Sequence, residues 1–375
     1  MRPIVAVVLG LLVAPLPQSR AQAPAEFAAL IARLSEPDGA FHSDNLVSNE
    51  TSYLHVFSAF RDLGIKGGAY LGVGPEQSFS YLAEIEPEIA FIVDIRRDNL
   101  LLHLLLKAMF ATAGNRLEYL CLLYGRAAPT DLALWTDLPL ESLLEYLDAR
   151  SADSVLHVAN HRRLMAMVGS FGVPLTETDR ATLRRFHDEF ARAGLDVQYT
   201  TQAGRMWRAM PTNRDLYLAT DLDGVQGSYL ASEDRWRRVR DLQRRHRVIP
   251  VTGDLAGPKA LRAIGQYLTE TRRTVSVFYV SNVEQYLFRN DVFPAFVANT
   301  RTLPTGPNSL LVRSLVGGGR WSGGSGSSPG LVSRQRAQTF KRFREITATP
   351  DSVSYRALVA DAFELRLRTG PPVDR

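Results

Sequence analysis

One cysteine, Cys121, stands in a chain of 375 residues. An intrachain disulfide and any cysteine-rich zinc or iron–sulfur site are thereby excluded, while pairing with another chain stays open. Cys121 lies in an apolar run from Tyr119 to Tyr124. That setting suits a small buried hydrophobe better than a reactive thiol. Lysine is scarce: it occurs at 66, 107, 259 and 341, and every other base is arginine. Bases outnumber acids by 44 to 39, a formal charge of +5 at pH 7. So small an excess, spread along the chain, points to no nucleic-acid partner. No apolar run reaches the roughly 20 residues that a helix needs to cross a bilayer.

Several catalytic signatures are also missing. There is no Gly-x-Ser-x-Gly elbow, which argues against the standard α/β-hydrolase. There is no phosphate-cradling Gly-x-x-x-x-Gly-Lys-Ser/Thr loop. His157 and His161 share a helix face, but Val158 stands where a metalloprotease glutamate would follow His157. With no third ligand evident, they read as structural or surface histidines, and no metal is expected. Asp221-Leu222-Asp223-Gly224 opens like a calcium loop, but the rest of the twelve-residue pattern is absent, so it reads as a turn. The arginines of Arg235 to Arg247 read as a solvated helix face.

What is present is ordinary for a folded chain: 45% hydrophobic and 22% charged residues. The length allows one large domain or two smaller ones, with a core that needs no staples. At the N-terminus, Arg2 precedes an apolar run from Ile4 to Leu16, and small residues follow. This layout predicts a secretory signal peptide over residues 1–21, cut after Ala21. A cut after Ala23 would leave Pro24 just past the scissile bond. The mature chain would carry 42 bases against 39 acids, a charge of +3. The expected location is secreted or periplasmic, or cytoplasmic if that segment is a mis-assigned start. No cysteine follows the run, so no lipoprotein anchor is expected.

A β-α-β order then emerges. Phe27 to Leu34 reads as a short amphipathic helix. Phe41 to Glu50 is rich in short polar side chains, and reads either as a capped loop or as a loop covering a ligand site. Ala69 to Val73 reads as a strand running into Gly72-Val73-Gly74-Pro75-Glu76-Gln77, followed by a helix from Ser78 to Glu84. Ala90 to Val93 reads as a second strand ending at Asp94, twenty residues after Gly74. A mostly helical block follows, over about 100–247. Val248 to Thr252 reads as a third strand entering Gly253-Asp254, then a helix, then a strand from Val275 to Val280 ending at Ser281-Asn282. The spacing predicts an α/β fold: a mostly parallel sheet with a large helical insertion between the second and third strands. Gly317 to Gly330 reads as a Gly/Ser linker and 331–375 as a tail of open role.

The strand ends carry the candidate chemistry. A glycine turn lets a ligand come close to backbone. A carboxylate at Asp94 can accept both hydroxyls of a ribose, and Asp254 can read an adenine amino group. Asn282 ends the fourth strand. Such positions converge on one crevice in an open α/β sheet.

These residues resemble the class I S-adenosylmethionine-dependent methyltransferases. Tyr70-Leu71-Gly72-Val73-Gly74 looks like their first motif, and Asp94 and Asp254 like the acids after their second and third strands. Ser281-Asn282-Val283-Glu284-Gln285-Tyr286 sits where many carry an Asn-Pro-Pro-Tyr-type motif. More narrowly, Gly72–Gln77, Val93–Asn99, Gly253–Lys259 and Ser281–Leu287 resemble an uncharacterised bacterial family of methyltransferase-like proteins, LIC_10091. The resemblance implies a Rossmann-like domain over 22–316 and S-adenosylmethionine as cofactor. It implies a cofactor loop of Gly72, Gly74, Glu76 and Gln77 with Asp94 and Asp254, and catalysis by Asn282 as proton acceptor and Glu284 as base. The acid that usually opens the first motif is replaced near Tyr70, its third glycine around Glu76, and no Pro-Pro follows Asn282. The expected reaction is methyl transfer to an unidentified small-molecule acceptor. Its rival is an exported, non-catalytic binding protein using the same crevice. A third reading, a hydrolase on Asp94, Asp254 and Glu284, requires paired carboxylates of raised pKa in one cavity.

Overall fold

Seven strands form one sheet in the computed structural model, which describes residues 23–200, 210–316 and 333–364. The strands are β1 Ala69–Gly72, β2 Ile89–Asp94, β3 Val248–Thr252, β4 Val275–Ser281, β5 Thr305–Val316, β6 Ser333–Thr339 and β7 Phe363–Glu364. Their order is β3-β2-β1-β4-β5-β6-β7. The first five are mutually parallel; β6 runs antiparallel to β5, and β7 to β6. The α/β class and the mostly parallel sheet agree with the spacing of the sequence. The expected signal peptide and Gly/Ser linker lie outside the described residues, as do the last residues of the tail.

Every residue of β1 and β3 is buried. That is why these strands read as continuous apolar runs: helices cover both faces, so no face alternates toward water. Pro250 cannot donate to a ladder, and it is tolerated because β3 forms the sheet's edge.

Helices fill the chain between β2 and β3. The first, Arg97–Thr112, is buried at every position from Asn99 to Phe110. It lies between β2 and β3 on one side and the helices Ser154–Ser170, Glu177–Ala193 and Glu233–Arg244 on the other. A helix buried on every face belongs in such an enclosed place, although it carries Asn99, His103 and Lys107. Because it touches both strands, it is the crossover itself, and the insertion begins only after it. Among the described residues no helix is long and apolar enough to cross a membrane.

The sheet does not stop at Val316, where the expected domain ends. β6 pairs with β5 from Leu310 through Val316, so the segment read as a separate tail extends the same sheet.

Candidate functional site

The connections leave β1 in two directions: β2 and β3 lie on one side, β4 and β5 on the other. Between β1 and β4, loops diverge at the C-terminal edge and leave a crevice, as open α/β sheets do at such a switch point. A cavity of about 220 Å³ opens there. Gly74, Gln77, Asp94, Asp254 and Asn282 all line it. Five of the eight expected site residues therefore meet.

Gly74 has a φ of +86°, and a Cβ there would sit 2.8 Å from Gln77 Nε2. The turn needs glycine both for its backbone and for that close approach. His103, on the Arg97–Thr112 helix, donates from Nε2 to the Gly74 carbonyl at 3.0 Å. Burial holds its imidazole neutral, with its pKa pushed down to about 4. The crossover helix thus fastens the glycine turn from behind. Gln77 Oε1 is buried without a hydrogen-bond partner among the described residues. A buried acceptor left open at a cavity wall suits a donor on a ligand.

Asp94 differs from its expected role. Arg96 grips its carboxylate, Nε to Oδ1 and Nη2 to Oδ2, both at 3.1 Å, and the Arg96 N–H reaches Oδ1 at 2.9 Å. A carboxylate offers about four acceptor positions. With Oδ1 taken twice and Oδ2 once, one position remains, too few for both hydroxyls of a ribose. The same guanidinium donates to the Ser43 carbonyl at 2.5 Å, tying down the polar loop. Asp254 Oδ1 closes a turn onto the Ala256 N–H at 2.9 Å.

Three expected residues are elsewhere. Gly72 is buried in β1, and a Cβ there would lie 2.4–2.7 Å from the ring and hydroxyl of Tyr70. Its bareness makes room for Tyr70, not for a ligand. Glu76 turns into the helical block and accepts from Tyr217 at 2.8 Å and Tyr229 at 2.6 Å. Burial raises its pKa. Glu284 is bound by Arg313, Nε to Oε2 at 2.6 Å, and each side chain is 1% exposed. A carboxylate so paired and so deep does not serve as the base for a cleft it does not line. The hydrolase reading loses its third acid in the same way.

From the polar stretch, Phe41, Asn45, Ser48, Asn49 and Glu50 line the cavity. Phe41 meets Tyr286 edge-on at 5.3 Å. Glu50 was missed because nothing local marks an acid whose partners lie on β4 and β5. Its carboxylate takes hydroxyls from Tyr279, Ser281 and, at 2.5 Å, Ser314. Ser281 also has a φ of +53°, a conformation that non-glycine residues rarely hold. His157 and His161 face His187 and Asp188 within the insertion; His157 Nε2 meets Asp188 Oδ1 at 2.7 Å.

A family described as Domain of unknown function (DUF7790) matches residues 45–134 and 179–360, well over half of the chain. The chain belongs to that family. The match takes in Glu50, Gly74, Asp94, Asp254 and Asn282, and it runs through β6. It omits the stretch that carries His157 and His161. No curated protein matches the chain.

Proposed function

We propose that the cleft binds an adenosyl compound, S-adenosylmethionine first, on a Rossmann-like, class I methyltransferase-like domain. What carries the reading is the meeting of Gly74, Gln77, Asp94, Asp254 and Asn282 around one cavity at the switch between β1 and β4. Charge supports it. Glu50, Asp94 and Asp254 line the cavity, and no lysine, arginine or histidine does among the described residues. With Asp94 paired to Arg96 and no base on the wall, nothing there would neutralise the diphosphate of a dinucleotide, and a neutral or cationic ligand suits it better. Gly74 and Gln77 would lie along the ligand's body, while Asp254 and the one free position of Asp94 would take its polar hydrogens. When bound, the cofactor supplies an electrophilic methyl group. Asn282 would then accept an N–H of the methyl acceptor and aim its lone pair.

A non-catalytic binding protein is the second reading, and two observations favour it. Arg96 occupies most of Asp94, and Arg313 removes Glu284 from any base role. Export through the N-terminal segment would suit it too, since S-adenosylmethionine is made in the cytosol. Calorimetric titration with S-adenosylmethionine and S-adenosylhomocysteine tests the choice, with Asp254→Ala as control. Micromolar binding lost in the variant supports the adenosyl site. No binding by folded protein sinks it and leaves the second reading.

A further inference from the structure

The buried acids beside the cleft are treated unequally. Arg96 neutralises Asp94, and Arg313 neutralises Glu284. Glu50, 1% exposed, has no ion pair among the described residues. Its surroundings are hydroxyls: Tyr279 and Ser281 on β4, Ser314 on β5, with Tyr70 of β1 and Tyr81 of the Ser78–Ile85 helix close by. An ionised carboxylate buried without a cation costs several kcal/mol. Burial accordingly pushes its pKa up, against the pull of the three hydroxyls. Glu76 has a similar hydroxyl setting but does not line the cleft. Glu50 does line it.

Two further observations point to what that ligand carries. Tyr279 and Ser314 both donate to Oε2, and Ser281 donates to Oε1. One acceptor position therefore remains, on Oε1. The aromatic rings of Phe41, Tyr199 and Tyr286 share the cavity wall, and ring faces attract cations.

We propose that the cleft takes a ligand with a positively charged nitrogen, and that Glu50 is the group that receives it. This rests on the cleft being a ligand site, not on the ligand being adenosyl. The proton balance is simple. The ammonium enters, any proton that Glu50 holds leaves to solvent, and the bound pair is ammonium and carboxylate. No other bond changes.

The test is calorimetry on the full chain at pH 7, in buffers of different ionisation enthalpy. The probes are 1,4-diaminobutane and, as a neutral shape control, 1,4-butanediol. Saturable diamine binding is expected, and the protons released per site measure how far Glu50 was protonated beforehand. Glu50→Gln should weaken the binding at least tenfold and abolish any proton release, without changing the response to the diol. Tyr279 and Ser314 can still donate to the Gln oxygen, the Ser281 hydroxyl can turn to accept from the Gln N–H, and thermal unfolding checks that the variant folds. Equal diamine binding by both proteins, or none by folded wild type, overturns the proposal. Adenosine titrated alongside separates the two claims. If the diamine binds and adenosine does not, the adenosyl reading falls alone. If adenosine binds both proteins equally and the diamine binds neither, this proposal falls alone.

Discussion

Glu284 and Gly74 look alike in sequence, each a candidate at a strand end, yet they do opposite jobs. Arg313 holds Glu284 through two nitrogens, and Gln338 Oε1 takes the second of these at 3.1 Å. Removing one member of a buried pair leaves an uncompensated charge, at about 3–5 kcal/mol. Glu284→Ala should therefore lower the urea midpoint sharply, while ligand affinity in folded material stays near wild type. Lost binding at unchanged stability would instead make Glu284 part of the site. Gly74→Ala should reverse the pattern. Its left-handed backbone adds about 1–2 kcal/mol of strain, and the new methyl displaces Gln77. Affinity for S-adenosylhomocysteine should fall more than stability does. At this scale the sequence marked the strand-end acids but not their partners. Arg313 is 29 positions from Glu284, and no spacing rule joins them.

The helical block was legible as a whole, but not that its first helix, Arg97–Thr112, would bury a lysine. Lys107 is 2% exposed. Its ammonium donates to the Gln243 carbonyl and lies over the rings of Phe27 at 4.7 Å and Phe171 at 5.3 Å. It thereby joins the crossover helix to Pro24–Leu34 and to the end of Ser154–Ser170. Burial pushes its pKa down to about 7. Unfolded, the side chain keeps its proton to an ordinary value near 10.4. Between those values the unfolded chain binds more protons, so this group makes stability rise with pH across that window. Below about pH 7 the full penalty stands. Lys107→Met should be more stable than wild type at pH 7, by several kcal/mol at about 1.4 per pKa unit. Denaturant unfolding at pH 7, 8.5 and 10 should show that advantage shrinking; a constant gap would mean the lysine titrates normally.

Over the whole molecule, β1 to β4 were readable from the sequence, while the parallel β5 and the antiparallel β6 and β7 were not. β1 to β4 are short apolar runs that end in, or lead directly into, glycine, acid or amide, which is a strong pattern. β6 reads Ser-Arg-Gln-Arg-Ala-Gln-Thr, polar but for one alanine, yet Ser333, Gln335, Ala337 and Gln338 are buried. Hydrophobic periodicity cannot find a strand whose inward side chains work by hydrogen bonding. Those bonds support the cleft from outside it. Ser333 meets Ser52, Gln335 accepts from the Val56 N–H at 3.2 Å and donates to Tyr81, and Gln338 completes the Arg313 pair. The segment from Ser52 to Val56 directly continues the loop that ends in Glu50. A chain ending at Gly330 would lose these partners and expose the whole β5 edge, an invitation to association. It should forfeit most of the ~5–15 kcal/mol that a domain holds, unfold without cooperativity and elute as aggregate. Ligand binding should go too, although no cleft residue is removed. If the shortened chain instead elutes as a monomer with an unchanged urea midpoint, then Glu50 is positioned by β4 and β5 alone, and the antiparallel extension serves another end.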